Sequence, residues 1–296
     1  MFETNLVAVQ MELTNACKLN CAECPRYLMT RPVGMMDWNL ATLLVDEGTA
    51  YNREIGFNVN GLGEPLLYKH FAPLIYYMAG KSVHHIDLFT SLSAPEKIVK
   101  PAFEAFRQTG LPVMLAITKH IYDGHGKRQV DDAQFDDYLE AAIAMPATVD
   151  RHIGIVLNKY HQPEDVVEFE ERYKAKFKEG NFHVIRQLNP WFNLVKDMAS
   201  AEYGASPASL EPNICDYPFI LLHVGWNGDC IICCTDDVDG EGIMGHIKEP
   251  GDLKRVWMGE KYQHMRARHN AYIIDMAPCN KCERTAWART GKAACA

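Results

Sequence analysis

Six short apolar, β-branched runs punctuate the first two-thirds of the chain: Leu6–Met11, Ile55–Val59, His85–Phe89, Pro112–Ile117, His152–Leu157 and Phe182–Ile185. Each is short and continuous, as expected of strands buried in a parallel sheet. Between them lie stretches with helical spacing. Asp37 stands as an N-cap before Trp38–Leu44, and Asp131 stands before Phe135, Tyr138, Leu139 and Ile143. Strands alternating with helices at intervals of roughly 30 residues predict right-handed βαβ units. Six units make an open, partial (β/α)6 TIM-like barrel, because the closed form has eight and needs about 250 residues.

After Phe182–Ile185 this rhythm stops, and Pro190, Pro207, Pro212 and Pro218 interrupt the next segment. Phe219–Val224 and Cys230–Cys234 then flank Trp226-Asn227-Gly228-Asp229, a hairpin signal. The expected organisation is a barrel core over residues 1–190 and a small β-hairpin/helix extension over residues 191–296.

Composition narrows the function. With 48% hydrophobic and 23% charged residues the chain has globular composition. A net charge of −8 argues against non-specific binding to nucleic acid, which needs a cationic surface. No apolar run approaches the roughly 20 residues that span a bilayer, and the first residues lack a basic segment followed by an apolar one. A cytoplasmic location is expected, and there ten cysteines are expected to hold metal or act as thiols rather than form disulfides.

The cysteines fall in two groups. Cys17, Cys21 and Cys24 form a Cys-x3-Cys-x2-Cys loop after the first strand, where the loops of parallel α/β folds build their sites. Three soft thiolates with no obvious fourth ligand suit an iron–sulfur cluster with one open iron; the alternative is a zinc ion completed by a distant cysteine or histidine. The second group begins at Cys215 and contains Cys230, Cys233, Cys234, Cys279, Cys282 and Cys295. In the second hairpin strand, period two puts Cys230, Ile232 and Cys234 on one face and Cys233 on the other. A zinc knuckle from Cys230-x2-Cys233 and Cys279-x2-Cys282 is the alternative to iron here as well.

The loop Cys17–Cys24, the Pro25-Arg26 and Arg31–Met36 stretches after it, and Asn60-Gly61-Leu62-Gly63-Glu64-Pro65 at the end of the second strand resemble the radical S-adenosylmethionine enzymes. The resemblance implies a 4Fe–4S cluster on Cys17, Cys21 and Cys24, with the amino and carboxylate groups of S-adenosylmethionine on its open iron. It implies reductive cleavage to a 5′-deoxyadenosyl radical that abstracts hydrogen from substrate. Gly61, Gly63, Glu64 and Pro65 match the segment that holds the methionine amino group. The two glycines admit close approach of a ligand, and Glu64 offers its carboxylate to the ammonium. Thr118 matches a hydroxyl that meets the cofactor carboxylate, and Asn158 a polar residue facing the ribose. In one respect the chain departs from the family: Glu23 stands before the third cysteine, where an aromatic residue near the adenine is usual.

Cys215, then Gly228-x4-Cys233, then Cys279-x2-Cys282 resemble the SPASM/twitch extension of the same enzymes, which implies an auxiliary 4Fe–4S cluster on Cys215, Cys233, Cys279 and Cys282. His120 and Arg186, near the ends of their strands, are candidates to deprotonate or orient a substrate hydroxyl. The reading that follows is oxidation of a small polar molecule such as a sugar or aminocyclitol, with a flavodoxin or ferredoxin as one-electron reductant. Radical epimerisation with Cys234 as hydrogen donor, modification of a ribosomal peptide, and a non-catalytic zinc scaffold are the alternatives. Peptide-modifying relatives often carry an N-terminal peptide-binding domain, for which the position of Cys17 leaves no room.

Overall fold

A computed structural model describes residues 4–185, 215–233, 238–239 and 242–281. Six parallel strands alternate with helices: β1 (Ala8–Met11), α1 (Trp38–Tyr51), β2 (Gly56–Val59), α2 (Phe71–Gly80), β3 (His85–Thr90), α3 (Glu96–Thr109), β4 (Val113–Lys119), α4 (Asp132–Ile143), β5 (Val149–Val156), α5 (Pro163–Tyr173) and β6 (Phe182–Ile185). The strands pair in sequential order. Every crossover therefore turns the same way and all the helices cover one face, as in a barrel and unlike a doubly wound sheet. Both predicted caps form. The Asp37 side chain accepts from Asn39 N at 2.8 Å, and Asp131 accepts from Gln134 N at 3.1 Å.

The core lies between sheet and helices. Val9, Met11, Phe57, Val59, Ile86, Leu88, Leu115 and Ile117 meet Leu44, Leu74, Phe103, Phe106 and Leu139 there, and each large side chain so buried contributes about 1.5–3 kcal/mol. β5 starts at Val149, three residues before the sequence reading, because Asp150 and His152 take the face away from the core. β4 runs two residues further than expected. Its last residue, Lys119, is 3% exposed on the helix side, 2.6 Å from the Asp132 carboxylate and over the rings of Phe135 and Tyr173.

The C-terminal extension continues the same sheet. After α6 (Tyr217–Ile220), β7 (Leu221–Val224) pairs in parallel with β1, and β8 (Asp229–Ile231) and β9 (Ile243–His246) follow antiparallel. The full order is β6-β5-β4-β3-β2-β1-β7-β8-β9. The hairpin turn forms where the sequence places it. Gly228 sits at φ +89°, and a Cβ there would come within 2.5 Å of Ile247 O. α7 (Asp252–Trp257) and α8 (Glu260–Asn270) complete the extension. Glu47 of α1 accepts from Gly251 N and from Leu253 N, tying α7 to the barrel helices. Among the described residues no helix is long and apolar enough to cross a membrane.

Candidate cofactor and metal site

The Cys17–Cys24 loop leaves β1 and is held from several sides. Asn15, fully buried, donates through Nδ2 to Pro32 O at 2.9 Å and accepts from Gly34 N at 2.7 Å. Thr14 Oγ1 donates to Gly34 O at 2.7 Å. These bonds close the neck of the loop. Near its tip Arg26 donates to Leu19 O at 2.8 Å, Gln129 accepts from Asn20 N at 2.9 Å, and Gly124 N donates to Asn20 O at 2.8 Å. Gln129 Nε2 also reaches Cys21 Sγ at 3.4 Å. Further along, Arg31 forks onto both oxygens of Glu12, at 2.6 and 2.7 Å, and donates to Val238 O at 2.8 Å.

The three thiols are free, with Cys21 buried and Cys17 and Cys24 half-buried. Burial pushes the Cys24 thiol up to about 11, and Cys21 and Cys17 push it further the same way. Burial, Glu64 and Cys21 likewise raise Cys17. Thiols this close disfavour each other's charge, which a multiply charged metal centre would relieve. The donor set therefore fits a thiolate-ligated cluster.

Beside Cys21 lies a polar trio, with Glu23 and Asn158 buried and His120 half-buried, that sequence reasoning did not find. Glu23 is 5% exposed; one of its oxygens meets His120 Nδ1 at 2.5 Å and the other accepts from Asn158 Nδ2 at 2.9 Å. Single ligand atoms of Cys21, Glu23 and His120 lie within 4.8 Å of one another. Burial alone would lift the Glu23 pKa, but the His120 and Asn158 bonds outweigh it and hold the carboxyl below its ordinary range. Burial opposes charge on His120, yet Cys21 and Glu23 together raise its pKa well above the usual value. The only sequence signal was the place of Glu23, a charge where an aromatic residue was expected.

Two residues expected to meet the cofactor hold protein partners here. The first is the Glu64 carboxylate. It is 2% exposed and already accepts from Thr90 Oγ1 at 2.6 Å, Ser91 N at 2.9 Å, Ser91 Oγ at 2.6 Å and Leu66 N at 3.1 Å. It braces the β2 loop against the end of β3. The Asn158 amide is likewise occupied, donating to Glu23 and accepting from Tyr160 N at 3.1 Å. The glycines do mark close approach, but to protein. A Cβ on Gly63 would stand 2.2 Å from Thr14 O and 2.7 Å from Ala16 O, and one on Gly61 would stand 2.6 Å from Glu12 Cγ. Glu64 N donates to Ala16 O at 2.8 Å, so Gly61–Pro65 is the surface on which the cysteine loop rests. Thr118 and His120 alternate with Lys119 along β4 and share the face away from the helices.

In the extension, Cys215 precedes α6, Cys233 follows β8, and Cys279 opens a single 3-10 turn, Cys279–Lys281. Cys233 and Cys279 border one apolar core. Cys230 is fully buried in that core, and burial drives its thiol pKa far up. Its side chain packs among the apolar residues of the extension. Arg186, Cys234, Cys282 and Cys295 lie outside the described residues.

Residues 215–283 match the SPASM iron–sulfur cluster-binding domain. A crystal structure of BtrN in complex with AdoMet and 2-DOIA superposes with a TM-score of 0.59 at 16% identity, covering 90% of this chain and 88% of that one. Native anSMEcpe with bound AdoMet and Cp18Cys peptide gives 0.57 at 13% identity, covering 96% and 88%. No curated protein matches by sequence. The chain thus has the fold of these AdoMet-containing structures, and its residues 215–283 match a SPASM iron–sulfur cluster-binding domain.

Proposed function

We propose that this chain is a radical S-adenosylmethionine oxidoreductase. In this reading Cys17, Cys21 and Cys24 hold a 4Fe–4S cluster beside S-adenosylmethionine, and Cys215, Cys233, Cys279 and Cys282 hold a second cluster. The observation that carries the reading is the donor set: three thiols on one braced loop at the carboxyl end of β1, in a fold shared with structures that contain AdoMet. When bound, the first cluster and S-adenosylmethionine supply a radical that removes a hydrogen atom from an unactivated C–H bond, and the second cluster supplies an electron acceptor. The chain's own residues shape and seal the site. Gly63 lets the neck of the cysteine loop seat on the β2 end, Glu64 braces that end, and the segment Gly61, Gly63, Glu64 and Pro65 is assigned to the amino group of S-adenosylmethionine. Thr118 presents a hydroxyl on the site face. Glu23 and Asn158 anchor the loop to the ends of β4 and β5. His120, engaged by Glu23, positions that loop rather than acting as a free base.

The substrate we assign is a small hydroxylated molecule such as a sugar or aminocyclitol, a carbinol of which loses two hydrogens. Support comes from the likeness to BtrN, whose structure holds 2-DOIA. A flavodoxin or ferredoxin is the proposed reductant, and Arg186 remains a candidate to orient the hydroxyl. Cys234, next in sequence to Cys233, is the thiol that the alternative reading of epimerisation would use as hydrogen donor.

Anaerobic reconstitution followed by a 5′-deoxyadenosine assay with dithionite tests the reading. Wild type forms 5′-deoxyadenosine and Cys17→Ala does not; equal yields from both overturn it. In deuterium oxide a two-hydrogen loss supports oxidation, whereas deuterium gained at otherwise unchanged mass supports epimerisation.

A further inference from the structure

We propose that His223, Gln10, Asn58 and Asp87 form a recognition floor for a ring bearing several hydroxyl or amino groups. The proposal deepens the assignment above and rests on it. Register places the four side by side: Gln10 pairs with His223 on one side and Asn58 on the other, and Asn58 pairs with Asp87. Their sequence neighbours Leu222, Val224, Val9, Met11, Phe57, Val59, Ile86 and Leu88 all lie in the helix-side core. Alternation therefore turns the four onto the opposite face, the face shared by Thr118 and His120.

A polar row on the outer face of a sheet is ordinary when water covers it, but the His223 end of this row is sheltered, while Asn58 and Asp87 are half-buried. His223 is 1% exposed and Gln10 6%. His223 Nε2 and Asn58 Oδ1 are buried with no hydrogen-bond partner. Native structures hold few such atoms, and each calls for an explanation. The chemistry of the orphans is one-sided. Gln10 Nε2 points to Asn60 O at 3.5 Å, so Gln10 Oε1 is the atom that meets His223 Nδ1 at 3.1 Å. Nδ1 therefore carries the proton, and Nε2 presents a lone pair. Burial lowers the His223 pKa to about 3, which keeps the ring neutral. Asn58 Oδ1 is an acceptor too, and Asp87 is a carboxyl whose pKa burial has raised. Three acceptors in a row call for a ligand rich in donors.

The adjoining cavity admits one donor group at the His223 end of the row, and Asn58 and Asp87 lie outside its lining. Gln10, Glu12, Arg31, Gly61, Leu62 and His223 border a space of about 20 Å3, enough for one water-sized group such as a hydroxyl. Arg31 and Glu12 neutralise each other within it. A polyol or amino sugar can set one O–H or N–H donor in this space against His223 and lay others along the half-buried Asn58 and Asp87. A peptide backbone brings carbonyls in equal number with its N–H groups and fits less well.

The test uses the full-length reconstituted protein with S-adenosylmethionine, and scyllo-inositol, 2-deoxystreptamine and glucosamine as probes in anaerobic calorimetry. His223→Phe and Asn58→Leu replace the orphans with apolar groups of similar shape, which removes an unmet desolvation cost. The proposal expects wild type to bind at least one probe and each variant to bind it at least tenfold more weakly; the melting temperature holds or rises in Asn58→Leu and falls in His223→Phe, which also strips Gln10 Oε1 of its Nδ1–H donor. Wild type binding no probe, or variants that bind like wild type, overturns it; unchanged binding with raised stability identifies a buried water only. Tighter binding of a cysteine-containing peptide than of every ring also overturns it. If a variant loses iron, 15N-histidine wild type decides, because the probe must move the His223 Nε2 resonance and no movement overturns the proposal. Wild-type 5′-deoxyadenosine formation without probe is read separately, so failure of the parent assignment is distinguishable.

Discussion

The two cysteine groups are built in opposite ways. Cys17, Cys21 and Cys24 share one loop, and protein hydrogen bonds hold that loop from its neck at Asn15 to its anchor at Glu23. Cys215, Cys233 and Cys279 come from three elements far apart in sequence. Bringing distant segments together costs loop-closure entropy, and a metal bound only by the folded state returns that cost as folding energy. The first group is thus organised before metal arrives. The second relies more on the metal to finish its own geometry.

The largest expected effect is chemical. Cys17→Ala, Cys21→Ala or Cys24→Ala should each remove about four iron atoms per chain and lower S-adenosylmethionine cleavage by more than about 100-fold, beyond the 10–100-fold typical of losing an outer-shell partner. Iron analysis and product formation check both. Next in size is iron removal from the whole protein. Amide exchange over residues 215–281 should accelerate much more than over residues 8–185, and equal acceleration in both regions would erase the contrast.

A smaller effect separates packing from ligation. Gly63→Ala forces a Cβ onto the Thr14 and Ala16 carbonyls, which as backbone cannot swing away. We expect a loss of about 2 kcal/mol in denaturant unfolding, with the three thiols intact. The smallest effect lies in the extension. Asp252 accepts from Lys248 N at 2.9 Å, Glu249 N at 3.1 Å and Arg255 Nη2 at 2.6 Å. Burial raises its pKa, but these bonds outweigh burial and lower it. Its contribution is therefore complete above the ordinary carboxylate range and fades as pH falls through the folded value. Asp252→Asn should cost about 1 kcal/mol at pH 7, and the gap to wild type should narrow in acid.

Much of this was legible along the chain. Strand alternation placed all six barrel strands to within a few residues, because a β-branched run between turn residues is a local signal. The caps at Asp37 and Asp131 and the turn at Gly228 are local too. What escaped was non-local. Glu23 reaches His120 and Asn158, and Arg31 reaches Glu12, only after folding brings β1, β4 and β5 together. Glu64 and Asn158 were rightly placed at strand ends, but a side chain's direction depends on neighbours that sequence does not show, and both turn inward. Gly61 and Gly63 were read as points of close approach, and the protein surfaces nearest them are Glu12 for Gly61 and Thr14–Ala16 for Gly63. The polar row of Gln10 and Asn58 was written into runs read as continuously apolar, and its meaning appears only when register lines it up with His223.

The central claim is that the first cysteine loop alone carries the S-adenosylmethionine-binding cluster. Electron paramagnetic resonance of the anaerobically reduced protein, with and without S-adenosylmethionine, tests it most directly. Wild type should show two 4Fe–4S signals, of which S-adenosylmethionine perturbs one; that signal should vanish in Cys17→Ala and survive in Cys279→Ala. Zinc in place of iron in the wild type, or a signal still perturbed by S-adenosylmethionine in Cys17→Ala, would contradict the account.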